Sequence, residues 1–404
     1  MVTPEAAARS TSILLAVILS AAACSSSGPQ APGGTVHHDC KVATVAPSAS
    51  VSPVRFTAEQ VIGVPSDPAN VAVADLNCDG KLDIAVSSES EPFVGVLLGR
   101  GDGTFDRTLT IPAGHTSRFI LAADLDGDGY VDLATSNRLG SATVLWGKGD
   151  GTFNKIVTYM VQGAQATADA YWIAAGDLNG DGALDLVVSV FGASGPDPSA
   201  PGQVAVLLNR GGRSFANPVF YPDRAAVAVV AADFDGDGKP DIATANFDSS
   251  VSFFRGDGQG RLGQREVYST GGQGVAIAAG DFNGDGVLDL ATGNDASGSV
   301  SVLPGLGHGS FGSPVTFEAG NTHSIAVVDL NGDGHLDLIS GGYDEGFVRF
   351  WPGRGDGKFL AEVRIPTTRA AGARGVAAVD FNGDGKLDIA VADRSMSIHI
   401  FISS

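Results

Sequence analysis

The chain has 404 residues, 43% of them hydrophobic and 56 of them glycine, which is apolar material for one large core or two to three ordinary domains, with glycine far above its usual share of about 7%. A formal net charge of -20 repels phosphate backbones and sets nucleic acid aside as a partner. No helical 3.6-residue period of useful length occurs, which sets a helical fold aside as well.

The N-terminus reads as an export signal. Arg9 precedes an apolar run from Ile13 to Leu19, then Ser20-Ala21-Ala22-Ala23-Cys24. The run is too short to span a bilayer comfortably, so residues 1–23 are expected to be a signal peptide. The small residues before Cys24 resemble a bacterial lipobox, whose cysteine is lipidated after cleavage. Ala21 stands where that pattern prefers Leu, and the same three alanines suit an ordinary signal peptidase. A membrane-anchored lipoprotein of the cell envelope is therefore expected, with simple secretion as the alternative. Residues 24–52 read as the lipidated cysteine and a flexible tether, "SSSGPQAPGG" at 25–34. With Cys24 lipidated, Cys40 and Cys78 remain for a disulfide in an oxidising compartment; two unpaired thiols are the alternative.

Residues 53–404 read as one domain of seven similar units. Each contains an acidic loop of the form Asp-x-Asn/Asp-x-Asp-Gly-x-x-Asp. In chain order the positions that matter are Asp75, Asn77, Asp79, Lys81 and Asp83; Asp124, Asp126, Asp128, Tyr130 and Asp132; Asp177, Asn179, Asp181, Ala183 and Asp185; Asp233, Asp235, Asp237, Lys239 and Asp241; Asp281, Asn283, Asp285, Val287 and Asp289; Asp329, Asn331, Asp333, His335 and Asp337; and Asp380, Asn382, Asp384, Lys386 and Asp388. Successive loops start 49, 53, 56, 48, 48 and 51 residues apart, a period that suits a propeller blade.

Each unit reads as four short strands, illustrated by the sixth: "IAVVD" (325–329) before the loop, "LDLIS" (336–340) after it, "FVRFW" (347–351), a turn "PGRGDGKF" (352–359), and "LAEVRI" (360–365). The first three are apolar or small, as buried strands require; the fourth is more polar, as an outer edge should be. The seventh unit supplies three strands by residue 404, while "RFTAEQVI" (55–62) is a fourth strand with no blade of its own. The two are expected to complete one shared blade and close the ring.

The chemistry of the loops points to calcium. Side-chain oxygens recur at the first, third and fifth positions, the seventh can offer its main-chain carbonyl, and the ninth is again Asp. Ca2+ takes 6–8 hard oxygens in flexible geometry, so up to seven ions are expected. Plain Asx turns are the alternative. The first loop, with Cys78 in place of Gly, and the fourth, with Pro240 at its exit, are the weakest candidates. Arg-Gly-Asp at 100–102, 255–257 and 354–356 sits in a recurrent hairpin turn, where Lys148-Gly149-Asp150 also occurs, and is read as turn chemistry.

These loops, with turns such as "LLGRGDGTF" (97–105) and "LWGKGDGTF" (145–153), resemble the FG-GAP/VCBS repeat family, best known from the integrin alpha-chain propeller. The resemblance covers about 350 residues, from Arg55 to Ile402. It implies an all-β, seven-bladed propeller of four-stranded blades with its calcium loops on one face.

Ligands are then expected on the opposite face, built from the connections before each first strand and after each second strand. Its candidate residues are His115, Arg118, Tyr171, Trp172, Phe191, Asn246, Asp295, His323, Tyr343 and Arg374. Aromatic rings beside amides and charges suit recognition of a glycan or a protein; the alternative is that Tyr171 and Trp172 only plug the rim between blades. No nucleophile, zinc or phosphate-loop motif is present, so the chain is read as a monomeric binding or adhesion module rather than an enzyme. A polysaccharide lyase or hydrolase, for which His323 and Arg374 are the nearest thing to a catalytic pair, and a structural envelope protein are the alternatives.

Overall fold

The computed structural model describes residues 54–404 except 107, 164–167, 193–200, 343–345 and 368–371. Cys24, Cys40 and Tyr343 lie outside the described residues, as does the whole of the signal and tether reading.

Seven four-stranded antiparallel sheets follow one another around the chain. The first blade is Pro68–Ala74, Asp83–Ser88, Phe93–Leu97 and Leu109–Pro112. The sixth is Thr322–Val328, Asp337–Gly342, Phe347–Trp351 and Val363–Pro366. First, second and third strands are almost wholly buried, because Ala, Val and Ile on both faces pack against the neighbouring sheets. Fourth strands alternate with solvent, as in the exposed and half-buried residues of Leu262–Ser269. The division of apolar and polar strands read from the sequence is therefore the division between hub and rim.

The seventh blade joins the two ends of the domain. Its strands are Ala373–Val379, Asp388–Asp393, Ser397–Ser403 and, from the N-terminal side, Phe56–Gly63. Phe56 meets Phe401 edge-on at 5.9 Å, and Ser404 N–H donates to the Arg55 carbonyl at 2.9 Å. His399, fully buried, bonds Glu59 of the closing strand through Nδ1 and Ser397 Oγ at 2.9 Å through Nε2.

Two repeated details position everything functional. At one end, the turn before each fourth strand reaches the acidic loop of the preceding blade. Phe105 packs edge-on against Phe381 at 5.3 Å, Phe311 against Phe234 at 5.7 Å and Phe359 against Phe282 at 5.6 Å. Gly151, Gly260 and Gly357 N–H groups donate to the carbonyls of Leu76, Leu178 and Phe282 at 2.8–3.0 Å. At the other end, the register of every first strand slips near its start. The equivalent residues at these slips are Ala69, Arg118, Tyr171, Val227, Val275, His323 and Arg374 in blade order. A bulge re-aims a side chain out of the ladder, so each blade contributes one to the hub of that face.

Candidate functional site

Each acidic loop is wound tightly by its own carboxylates. In the sixth, Asp329 accepts the N–H groups of Asp333 and Gly334 at 3.0 and 2.8 Å. Asn331 Oδ1 accepts Asp333 N–H at 2.8 Å, and Asp333 accepts His335 N–H at 2.9 Å. Gly332 and Gly334 hold φ of 72° and 86°, which is why glycine recurs at both positions. The first loop keeps this winding although Cys78 replaces the first glycine: Asp75 accepts the N–H groups of Asp79 and Gly80 at 3.1 and 2.8 Å. Cys78 holds φ of 55° there and is disulfide-bonded, its partner lying outside the described residues. Pro240 leaves the fourth loop equally intact, since Asp241 still accepts from Phe234 and Gly256 at 3.1 and 2.8 Å.

The ninth-position aspartates are the most buried members of the loops. Asp337 is fully buried and accepts Leu330 N–H at 2.9 Å and Gly353 N–H at 2.7 Å, tying the loop to the end of the third strand. The same double bond recurs at Asp83, Asp132, Asp185, Asp241, Asp289 and Asp388. Burial pushes these carboxyls up against the opposing pull of the backbone N–H groups, and nearby loop carboxylates push further. Asp132 rises to about 8, Asp83 and Asp337 to about 7, and Asp185, Asp241 and Asp289 to about 6, with Asp388 raised as well.

A first prediction follows from that difference in position. Asp337→Ala strands two buried donors at about 1–3 kcal/mol each, so its melting temperature should fall with or without calcium. Asp333→Ala, at the exposed mouth, should fall only in calcium. Equal behaviour of the two variants across calcium and chelator titrations would show that the ninth position has no separate structural role.

Two of the loop mouths bring three carboxylates close enough for a hard cation. Carboxylate oxygens of Asp124, Asp126 and Asp128 lie within 4.8 Å of one another, and so do those of Asp233, Asp235 and Asp237. Oxygens on one calcium ion, at 2.3–2.6 Å each, are separated by up to about 5 Å.

On the opposite face the structure gathers some expected residues and withdraws others. Arg118 reaches Glu89 at 3.3 Å and Asp169 at 2.9 Å, and its guanidinium lies 4.1 Å over the Tyr171 ring. Arg374 shares Glu89 at 2.8 Å and meets Asp67 at 3.4 Å. These groups link four blades, the seventh, first, second and third. The sequence reading missed the acids Asp67, Glu89 and Asp169; their signal is that Asp67 and Asp169 stand at first-strand starts and Glu89 follows a second strand, where the repeats diverge. His323 lies 3.6 Å from Asp295, so the two residues considered for catalysis each sit on separate acids. Three residues expected to be exposed are buried. Trp172 stacks on Phe119 at 3.9 Å, filling the seam between two blades. Phe191 is 3% exposed, wedged edge-on between Tyr171 at 5.6 Å and Phe247 at 6.2 Å. Asn246 is fully buried and bonds Ser250, Ser252 and Thr244 hydroxyls at 3.1, 2.7 and 3.0 Å, so it fastens a strand connection.

The family described as FG-GAP-like repeat matches residues 79–135, 124–188, 190–244, 233–292, 281–340 and 329–391. No curated protein matches the chain. Among solved structures, it is similar to BBS1N in complex with ARL6DN, soaked with lead, with TM-score 0.60 and 12% identity over 88% of this chain and 98% of that one. The mercury-soaked form of that complex gives 0.58 and 13% over the same shares. An Agrocybe aegerita lectin, solved for its recognition of non-reducing terminal N-acetylglucosamine, gives 0.53 and 20% over 82% and 86%. At these identities the likeness is one of fold.

Proposed function

Because the chain belongs to the FG-GAP-like repeat family, we propose that it is a calcium-stabilised binding module that recognises a glycan or a protein through the face opposite its acidic loops. The observation that carries this is the contrast between the two ends of the repeats. At the loop end all seven units repeat the same oxygen-rich turn. At the other end the same position becomes Ala69, Arg118, Tyr171, Val227, Val275, His323 and Arg374. A purely structural role asks for one residue seven times over, whereas a ligand asks for a varied set. Propeller neighbours that hold a protein partner or recognise N-acetylglucosamine support the same reading.

A glycan array and a partner capture, both in calcium, test it. Arg374→Ala and Arg118→Ala should weaken the bound ligand roughly tenfold or more, since charge-assisted bonds contribute about 1.5–3 kcal/mol. Blank arrays and no capture, together with turnover of an acidic polysaccharide, would replace this reading with an enzymatic one.

We further propose that the protein is exported and held at the cell envelope as a monomer by lipid on Cys24, leaving Cys40 for Cys78. Mass spectrometry of the mature N-terminus should find acylated Cys24; an unmodified terminus rejects the anchor.

A further inference from the structure

Five of the seven acidic loops have Asn at the third position, and two have Asp: Asp126 and Asp235. Those two loops hold four carboxylates where the others hold three. In two of these five loops the Asn is shown to do more than offer an oxygen. Nδ2 of Asn179 donates to Asp181 Oδ2 at 2.9 Å, and Nδ2 of Asn331 donates to Asp333 Oδ2 at 2.9 Å. Asp cannot donate, and it adds a like charge to a crowded mouth.

In both Asp loops a guanidinium from elsewhere takes over the donor's work. Arg213, from the third blade, reaches the second blade's loop. It donates through Nε to Asp126 at 2.6 Å, through Nη2 to Asp128 at 2.7 Å and through Nη1 to Asn154 at 2.8 Å. In the fourth blade Arg255 donates to Asp235 and to the His308 carbonyl at 2.9 Å. Lys239 covers Asp237 at 2.8 Å. Asp126 and Asp235 are only 7% and 3% exposed, so their charges are poorly screened by water. Of the arginine ion pairs among the described residues, the ones that reach acidic loops reach these two.

Placing Arg213 strains the chain. Its φ is 63°, where the corresponding turns have Gly103, Gly151, Gly260, Gly309 and Gly357. A non-glycine residue persists in that region when its surroundings hold it there, and here the two carboxylates do so.

We propose that Arg213 and Arg255 are internal counter-cations. They hold the two four-carboxylate loops closed without metal, and a divalent cation must displace them to enter. These two loops are thus the last of the seven to fill and the first to empty. The metal half of this inference rests on the calcium reading above; the pairing half does not.

The test is a double-mutant cycle on the full chain, using CaCl2 titration calorimetry and melting in EDTA. Arg213→Gly restores the residue of the other turns and should fold. It should convert the second loop into an open site that binds Ca2+ about tenfold or more tightly. In EDTA, Asp126→Asn should destabilise far less when Arg213 is already Gly than when it is present. Relief of backbone strain enters both Gly backgrounds and cancels from the coupling. Arg255→Leu, which installs the residue found at Leu98 and Leu208, should tighten the fourth loop in the same way. If the parent binds calcium but Arg213→Gly changes neither the isotherm nor the coupling in EDTA, the proposal is wrong while the calcium reading stands. If the parent binds no calcium yet the coupling is present, the calcium reading fails and the counter-cation role is upheld.

Discussion

Chelation with EDTA is expected to lower the melting temperature by more than about 10 °C, and added Ca2+ to restore it. Each ion that binds only the folded state contributes about 2.7 kcal/mol at one hundred times its Kd. Two or three such sites rival the whole ~5–15 kcal/mol of a typical domain, and each kcal/mol moves the midpoint by roughly 2–4 °C in domains of 150–250 residues. The pH response should reverse with the metal. In chelator, the ninth-position carboxyls have folded pKa values raised above the unfolded range near 4, to about 6–8. Stability from a raised group is fully present below its unfolded pKa and is lost as pH rises through the folded one. The chelated protein should therefore melt higher at pH 5 than at pH 8. In calcium the order should invert, because acid protonates the ligands and releases the ion. A melting curve indifferent to EDTA, with no calcium detected by calorimetry, would reduce the loops to Asx turns.

Deleting residues 54–63 should be at least as damaging. It strips the partner from Ser397–Ser403, leaves the ladder groups of Ile398 and Ile400 as an open edge, and exposes buried His399 together with the Phe401 ring. An unpaired apolar edge recruits other chains, so unfolding or aggregation beyond that of the parent is expected. A synthetic 54–64 peptide should rescue the variant by adding the missing strand. A deletion variant that melts with the parent and stays monomeric would show that the last blade does not need its fourth strand.

Much of this was legible in the residues, because the repeat itself is a measurement made seven times. The acidic turn, the period near 50 residues and the orphan strand at 55–62 together specify blade number, strand order and closure. What one repeat does to another was not legible. Arg213 meets Asp126 across 87 residues, and the trace of that contact is a glycine missing from one turn among six. Asn246 reads as exposed, and Trp172 reads equally as a ligand group or an inter-blade plug, for the same reason. Their neighbours Phe119 and Ser252 lie in another blade or across a hairpin, and local polarity does not report burial. The ninth aspartates look like ligands by spacing, and spacing cannot show that the Leu330 and Gly353 N–H groups also bond the carboxylate of Asp337.

The contact between Glu59 and His399 spans 340 residues of chain. Closing so long a loop is entropically unfavourable and slow compared with forming any single blade, whose strands are joined by short turns. During synthesis the strand Phe56–Gly63 emerges early and has no partner until residues 397–403 follow. At ~5–20 residues per second that wait lasts from about twenty seconds to more than a minute. Until then the ring is an open arc, and chaperones that cover exposed strand edges have their longest opportunity at the strand Phe56–Gly63.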